Sequence, residues 1–217
     1  VRERLLNAPT SLTLLSVGNF TDAQVKALAQ AAEKIVKNQN SELARSRYLS
    51  VEGSTRKLNA IKNVPNEDNA LIVMMMANGY EEFSGRARAS LLRDMIGRWY
   101  FDDLRTNKQL GYVVYATDAH IGTTSGLRFM VQSPNSSPKA IMAHNERFFK
   151  ETLTKLEGLT EAEFNRYKQS LLEKLDRKPE SLALEFSEFT SDLARNNPDF
   201  NQRAKTIEAV KALTHQD

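Results

Sequence analysis

The sequence predicts an α+β domain: a mostly antiparallel sheet with helices packed on one face. Three observations carry that prediction. Apolar runs of strand length alternate with turn clusters over the first 133 residues. Helices of amphipathic spacing interrupt them. From Pro138 onward only helical periodicity remains.

The elements follow in order. Residues 11–17 form an apolar strand closed by Gly18-Asn19, and Phe20-Thr21-Asp22 opens a helix. Its apolar and small positions (Val25, Leu28, Ala29, Ala32, Ile35, Val36) recur at helical spacing to about Lys37. The stretch 38–53 is polar, and 56–61 alternates weakly as a strand. Asn63-Val64-Pro65-Asn66 lies in a turn cluster. Residues 70–77 are apolar on both faces, which predicts a central strand. A helix over 85–104 carries Leu91, Leu92, Met95, Ile96 and Trp99 on one face. Two strands, 112–117 and 127–132, are joined by 118–126, whose Gly122 and Gly126 suit a hairpin.

Pro138 fits the first position of a helix running to about Leu156. Thr160-Glu161-Ala162-Glu163 is a capping box for another, to about Leu175. Two more span 182–195 and 201–213, separated by Asn196-Asn197-Pro198-Asp199. At the ends, 1–6 reads as the tail of a helix begun upstream, and 213–217 as a helix start with Thr214 as cap. The expectation is a piece of a larger polypeptide: 1–11 the tail of a preceding domain or linker, 12–217 one domain cut short at its C-terminus.

Composition narrows the chemistry. With 217 residues, 41% hydrophobic and 26% charged, the chain has the makings of a substantial core. The net charge of +3 is small and dispersed, which argues against a nucleic-acid partner. No run approaches the roughly 20 apolar residues that span a bilayer as a helix, so no membrane partner is expected. The absence of cysteine excludes disulfides and thiolate metal sites but leaves the compartment open.

The three histidines, His120, His144 and His215, lack the close pairing on one helix that a zinc site needs, and are read as surface residues. Ser84-Gly85 and Ser125-Gly126 lack the strand–turn–helix context of a nucleophilic serine. No phosphate-binding glycine loop is present. Glu81-Glu82 and Asp102-Asp103 are adjacent pairs, which point apart and read as solvated. Trp99, Tyr100, Phe101, Phe148 and Phe149 follow core periodicity.

One block stands out. Phe101-Asp102-Asp103-Leu104-Arg105-Thr106-Asn107-Lys108-Gln109-Leu110-Gly111-Tyr112 runs from a helix end into a strand. It places a guanidinium and a phenol either side of a short turn containing Gly111, a pair of donors suited to a developing oxyanion. The plainer reading is that Arg105 compensates the helix C-terminus and Tyr112 merely opens a strand. The residues alone leave both open.

Leu104-Arg105-Thr106 with Gln109-Leu110-Gly111-Tyr112-Val113-Val114 resembles the signature in the C-terminal half of the pitrilysin and insulin-degrading enzyme family, nearest its bacterial members. Four further segments are similar to that family: Gly126 through Ser133, Leu159 through Phe164, Leu175 through Pro179, and Ser16 through Thr21. The resemblance runs from Leu12 to Asp217. It implies the fourth, C-terminal one of four related α+β, processing-peptidase-like domains of a zinc metalloendopeptidase, with a few residues of the third ahead of it, in a chain whose two halves close around a peptide chamber. The inverted His-x-x-Glu-His zinc motif belongs to the first domain and is missing here, so no metal ligand is assigned to this chain and its isolated form is expected to be inactive. By resemblance Arg105 and Tyr112 are substrate-binding residues, and Tyr112 also a catalytic oxyanion contact. The implied partners are peptide substrates and the N-terminal half of the same polypeptide, and the implied location is the periplasm. The apolar surface normally covered by neighbouring domains predicts self-association of this piece. The alternative is a non-catalytic peptide-binding or scaffold subunit of the same fold.

Overall fold

The structure, a computed structural model, describes residues 12–35, 55, 57–58, 68–77, 79–195 and 199–217. They fall into two units, one within Val1–Leu49 and Lys178–Phe200, the other within Ser50–Arg177 and Asn201–Asp217.

The smaller unit contributes helix α1, Asp22–Ile35, and helix α5, Leu182–Ala194. Thr21 and Gln24 exchange hydrogen bonds at the start of α1, and Ser181 Oγ accepts from the Leu184 N–H at the start of α5. The rings of Phe189 and Phe200 meet edge-on at 5.2 Å. The strand predicted over 11–17 is not found: 12–17 pairs with no other described residue as a ladder, so its apolar content alone does not make it a strand. The predicted strand over 56–61 and turn cluster over 63–69 lie almost wholly outside the described residues.

The larger unit holds the sheet. Its strands are β1 (Asn69–Ala77), β2 (Val113–Ile121) and β3 (Thr124–Ser133), antiparallel in the order β1-β3-β2. Leu71 and Val114 both stand opposite Val131. The pleat then fixes the faces: Val73, Ala116 and Phe129 share one, while Ile72, Met74, Tyr115 and Met130 share the other. The first face meets the helices, and Ile72, Met74 and Tyr115 on the second remain exposed.

Two expectations do not hold. β1 is an edge strand among the described residues, not central. The centre belongs to β3, whose Gly126 lets the backbones approach so closely that a Cβ there would lie 2.0 Å from the Met75 carbonyl oxygen. The link between β2 and β3 is not a nine-residue connection. It is a tight hairpin at Gly122-Thr123, with Ile121 paired to Thr124. Gly122 has φ +59°, as a hairpin with glycine at the first central position requires.

Helix α2, Glu82–Phe101, lies across the sheet. Glu81 caps it, its carboxylate accepting the N–H groups of Phe83 and Ser84. Ala87, Leu91, Met95 and Tyr100 recur at i+4 or i+5, and Ile96 widens the same buried stripe. Helix α3, Pro138–Glu157, adds Ile141 and Phe148; α4, Glu161–Asp176, adds Phe164 and Leu171; α6, Gln202–Ala212, adds Val210. These close on Leu127, Phe129 and Val131 of the central strand. The capping box at Thr160 forms as predicted, with Thr160 and Glu163 bonded in both directions.

Tyr100 is the hub. Its ring meets Phe129 at 5.1 Å and Phe148 at 5.0 Å, both edge-on. Its hydroxyl donates to Asn145 Oδ1 at 2.7 Å, and Asn145 donates in turn to the Ile141 carbonyl. Of the five aromatic residues assigned to the core, Phe101 does not belong: it points outward from the last turn of α2.

Candidate functional site

The end of α2 is where the chain departs from a simple helix. The sequence predicts α-helix to residue 104. Instead the α-helix stops at Phe101 and Asp102–Asn107 winds as a π-helical turn. Its signature is the Lys108 N–H bonding back five residues to the Asp103 carbonyl, at 3.1 Å. The Leu104 carbonyl then accepts from Leu110 N–H, six residues on, at 3.0 Å. Leu104 and Leu110 are both buried, so the two ends of the turn are pinned into the core.

Between those pins the backbone reverses through Gln109, at φ +50°, and Gly111. Gly111 is there for want of space. A Cβ would fall 1.8 Å from the Gln132 carbonyl oxygen and 2.8 Å from its carbon, both backbone atoms of β3. The turn is thus pressed against the end of the central strand, and the next residue is thrown outward.

That residue is Tyr112, 84% exposed. Arg105, half-buried on the π-turn, reaches across so that its guanidinium carbon stands 5.3 Å from the centre of the Tyr112 ring. The two residues singled out from the sequence, seven positions apart, are therefore neighbours. Neither the Arg105 N–H groups nor the Tyr112 hydroxyl finds an acceptor among the described residues. Chemically the pair is a planar cation beside an exposed phenol, two groups able to donate to an external carbonyl or oxyanion.

Other candidates resolve differently. Asp102 and Asp103 are not alike. Asp102 is exposed beside Arg98, but Asp103 is tucked in, with Lys108 bonded to one carboxylate oxygen and Arg147 of α3 at 3.5 Å from the other. The reading of both as solvated fails for Asp103, because the π-turn rotates it toward α3. Glu81 and Glu82 are also engaged, as the α2 cap and as the partner of buried Arg86.

His120 is not a simple surface histidine. Nδ1 lies 3.0 Å from Ser125 Oγ, and Nε2 lies 3.1 Å from Asp118 Oδ2. The hydrogen bond from His120 holds the Asp118 carboxyl well below the usual carboxylate range, with Arg93 helping and burial opposing. The order Ser–His–Asp is that of a nucleophilic triad, but Ser125 is 3% exposed and lies within β3, not at the strand–turn–helix elbow of a nucleophilic serine. His215 bonds the Leu159 carbonyl at 2.6 Å and packs on Phe164. Among the described residues no three histidine, aspartate or glutamate side chains stand together in a way that could hold a metal ion. No described helix is long and apolar enough to cross a membrane.

A cavity of about 490 Å³ opens beside Met75, Met95, Leu127 and Phe164. It sits at the start of β3, whereas Gly111 abuts the end of that strand; some six residues separate them, about 20 Å. The paired donors do not belong to it.

Residues 91–190 match the family model described as PQQ synthase PqqF-like, C-terminal lobe domain 4. Protease 3 of Escherichia coli strain K12 is 31% identical over 202 residues, 92% of this chain and 21% of the relative. The crystal structure of pitrilysin aligns with a TM-score of 0.75 at 31% identity, covering 92% of this chain and 21% of that one. The periplasmic protease PqqL from Escherichia coli aligns at a TM-score of 0.55 and 17% identity, a likeness of fold, covering 92% of this chain and 22% of that one. The chain therefore spans about a fifth of the length of the relatives it matches.

Proposed function

We propose that this chain, which belongs to the pitrilysin and insulin-degrading enzyme family, supplies the substrate-binding and oxyanion-side residues of a longer zinc-dependent metalloendopeptidase. In this reading 12–217 is a C-terminal domain, 1–11 leads into it, and the N-terminal half of the same polypeptide is its working partner. Peptides are the substrates. The periplasm is the proposed location, by analogy with the periplasmic protease PqqL.

The zinc that the family implies has no ligand set among the described residues of this chain. Its ligands are assigned elsewhere in the longer protein, and this chain's own part is to bind and orient the peptide. The observation that carries the reading is the Arg105–Tyr112 pair, the guanidinium carbon 5.3 Å from the ring centre, with no acceptor for either donor group among the described residues. Arg105 presents a fork of N–H groups to a peptide carbonyl and fixes the backbone's register. Tyr112 donates its O–H to the carbonyl oxygen as it gains charge. The rigid turn aligns the donors beforehand, so no reorganisation is needed as charge develops; one such donor is worth about 10²–10³ in rate.

The test uses the full-length protein. Tyr112→Phe should lower kcat for a fluorogenic peptide at least tenfold with little change in KM, and Arg105→Lys should mainly raise KM. Unchanged turnover in Tyr112→Phe rejects the catalytic role of Tyr112, whereas a native full-length protein that cleaves no peptide favours a non-catalytic, peptide-binding or scaffold subunit. The isolated chain is expected not to cleave the same peptide.

A further inference from the structure

We propose that Asp103 is a positioning residue that sets where Arg105 stands, an inference that rests on the substrate-binding reading of Arg105.

The observations lie on both sides of the carboxylate. Oδ1 takes the Lys108 ammonium, which closes the π-turn onto its own first residues. Oδ2 faces Arg147 Nη2 at 3.5 Å, an ion pair rather than a hydrogen bond, and is buried with no hydrogen-bond partner among the described residues. Arg147 projects from α3, the helix that enters the core through Ile141, Asn145 and Phe148. One side chain thus ties the turn to itself and to an element that cannot move independently of the core. The Lys108 N–H to Asp103 carbonyl bond adds a backbone tie between the same two residues.

The position is partly sheltered: side-chain exposure is 24% for Asp103 and 18% for Lys108. Charge pairs so placed are screened less than the exposed Arg98–Asp102 pair one residue earlier. The tie has something to hold. A π-turn carries an extra residue per turn relative to an α-helix, and such turns concentrate at functional positions. If residues 102–107 relaxed toward α-helical winding, Arg105 would swing around the helix axis and leave the face that Tyr112 occupies. Asp103 opposes that relaxation by joining the start of the turn to Lys108 at its end.

Two kinds of measurement separate this from the reading it rests on. The first needs no catalysis. In the 217-residue chain, the Arg105 Hε resonance should carry an upfield ring-current shift from Tyr112. Asp103→Asn, and separately Lys108→Met, should abolish most of that shift while core methyl resonances stay in place, and Asp103→Glu should keep it. A shift that persists in a folded Asp103→Asn or Lys108→Met chain overturns the proposal. If Asp103→Asn does not fold, Lys108→Met decides alone.

The second uses the full-length enzyme. Asp103→Asn should lower kcat/KM about tenfold in the native background and not at all in an Arg105→Ala background, since the two residues act as one unit. Equal losses in both backgrounds overturn the positioning role. Full activity in Arg105→Ala itself sinks the substrate-binding reading, whatever the resonance experiment finds.

Discussion

The guanidinium of Arg105 lies 5.3 Å over the ring of Tyr112, and Gly111, the residue just before Tyr112, is wedged against the Gln132 carbonyl. The two facts belong together. The arginine is aimed by a π-turn pinned through Leu104, the tyrosine by a backbone that can approach β3 only where there is no side chain. Changing the wedge should therefore disturb the pair without touching either member.

Gly111→Ala puts this to the test. The added methyl would sit 1.8 Å from a backbone oxygen of the central strand. No flexible side chain is there to give way, so either the turn or the strand end must move. We expect a loss of about 2–4 kcal/mol in unfolding free energy, at the upper end of overpacking costs. Urea denaturation should show a lower midpoint at unchanged slope. A midpoint equal to that of the native chain would mean the approach is not as close as described.

Tyr100 gives a prediction at alkaline pH. Burial pushes its phenol well above the ordinary tyrosine range, against the smaller opposing effect of its bond to Asn145. A raised value means the folded state favours the protonated phenol. The associated stability is fully present below about pH 10, the unfolded value, and is lost as pH climbs toward the higher folded value. A spectrophotometric titration should find one phenol silent until the chain unfolds, and Tyr100→Phe should remove that late step. The same substitution strands the Asn145 carbonyl oxygen in a site where that residue is 1% exposed, at a cost of about 1–3 kcal/mol at neutral pH.

Much of this architecture is legible in the sequence because it rests on periodicity and local chemistry. The stripe through Leu91, Met95 and Ile96 gives α2; Pro138 and the Thr160–Glu163 box give the starts of α3 and α4. What depends on neighbours in space is not. Apolar residues on both faces of 70–77 predict a central strand, yet apolar faces say how a strand is covered and not which strands flank it, and it is β3 that pairs along both edges. The proximity of Arg105 to Tyr112 is visible in the sequence only as a short turn between them. Its cause, a π-turn, has no local propensity signal, because it depends on Leu104 and Leu110 both finding the core. Asp103 escapes for the same reason: adjacency to Asp102 says the two point apart, but not that one of them meets α3.

Exposed apolar side chains point to association in solution. Leu182, Leu184 and Phe186 on α5 and Leu28 and Ile35 on α1 are all exposed. Such a set in one unit exceeds the scattered singles of an ordinary surface. Sedimentation velocity of the 217-residue chain should show a weight-average coefficient that rises with concentration. Leu184→Glu with Phe186→Ser should flatten that rise. A native chain that sediments identically at every concentration contradicts the expectation.

The Asp118–His120 contact fixes the acid side of the stability profile. Asp118 is held well below the usual carboxylate range, first by the hydrogen bond from His120 and then by the positive charge of His120 and Arg93, with burial working the other way. A depressed value means the folded state favours the ionised form. Its contribution is therefore present above the unfolded value, near pH 4, and drains away as pH falls below that toward the lower folded value. Asp118→Asn keeps the size and loses the charge. At pH 7 it should lower stability by about 1.5–3 kcal/mol, the scale of one hydrogen bond to a charged group. The gap between native and variant chains should then narrow steadily below pH 4, because protonation removes from the native chain what the substitution already removed. Ser125 lies on the other side of the same ring, so Ser125→Ala should destabilise without altering that slope. Parallel pH profiles for the native and Asp118→Asn chains below pH 4 would show that the pair contributes nothing to acid stability.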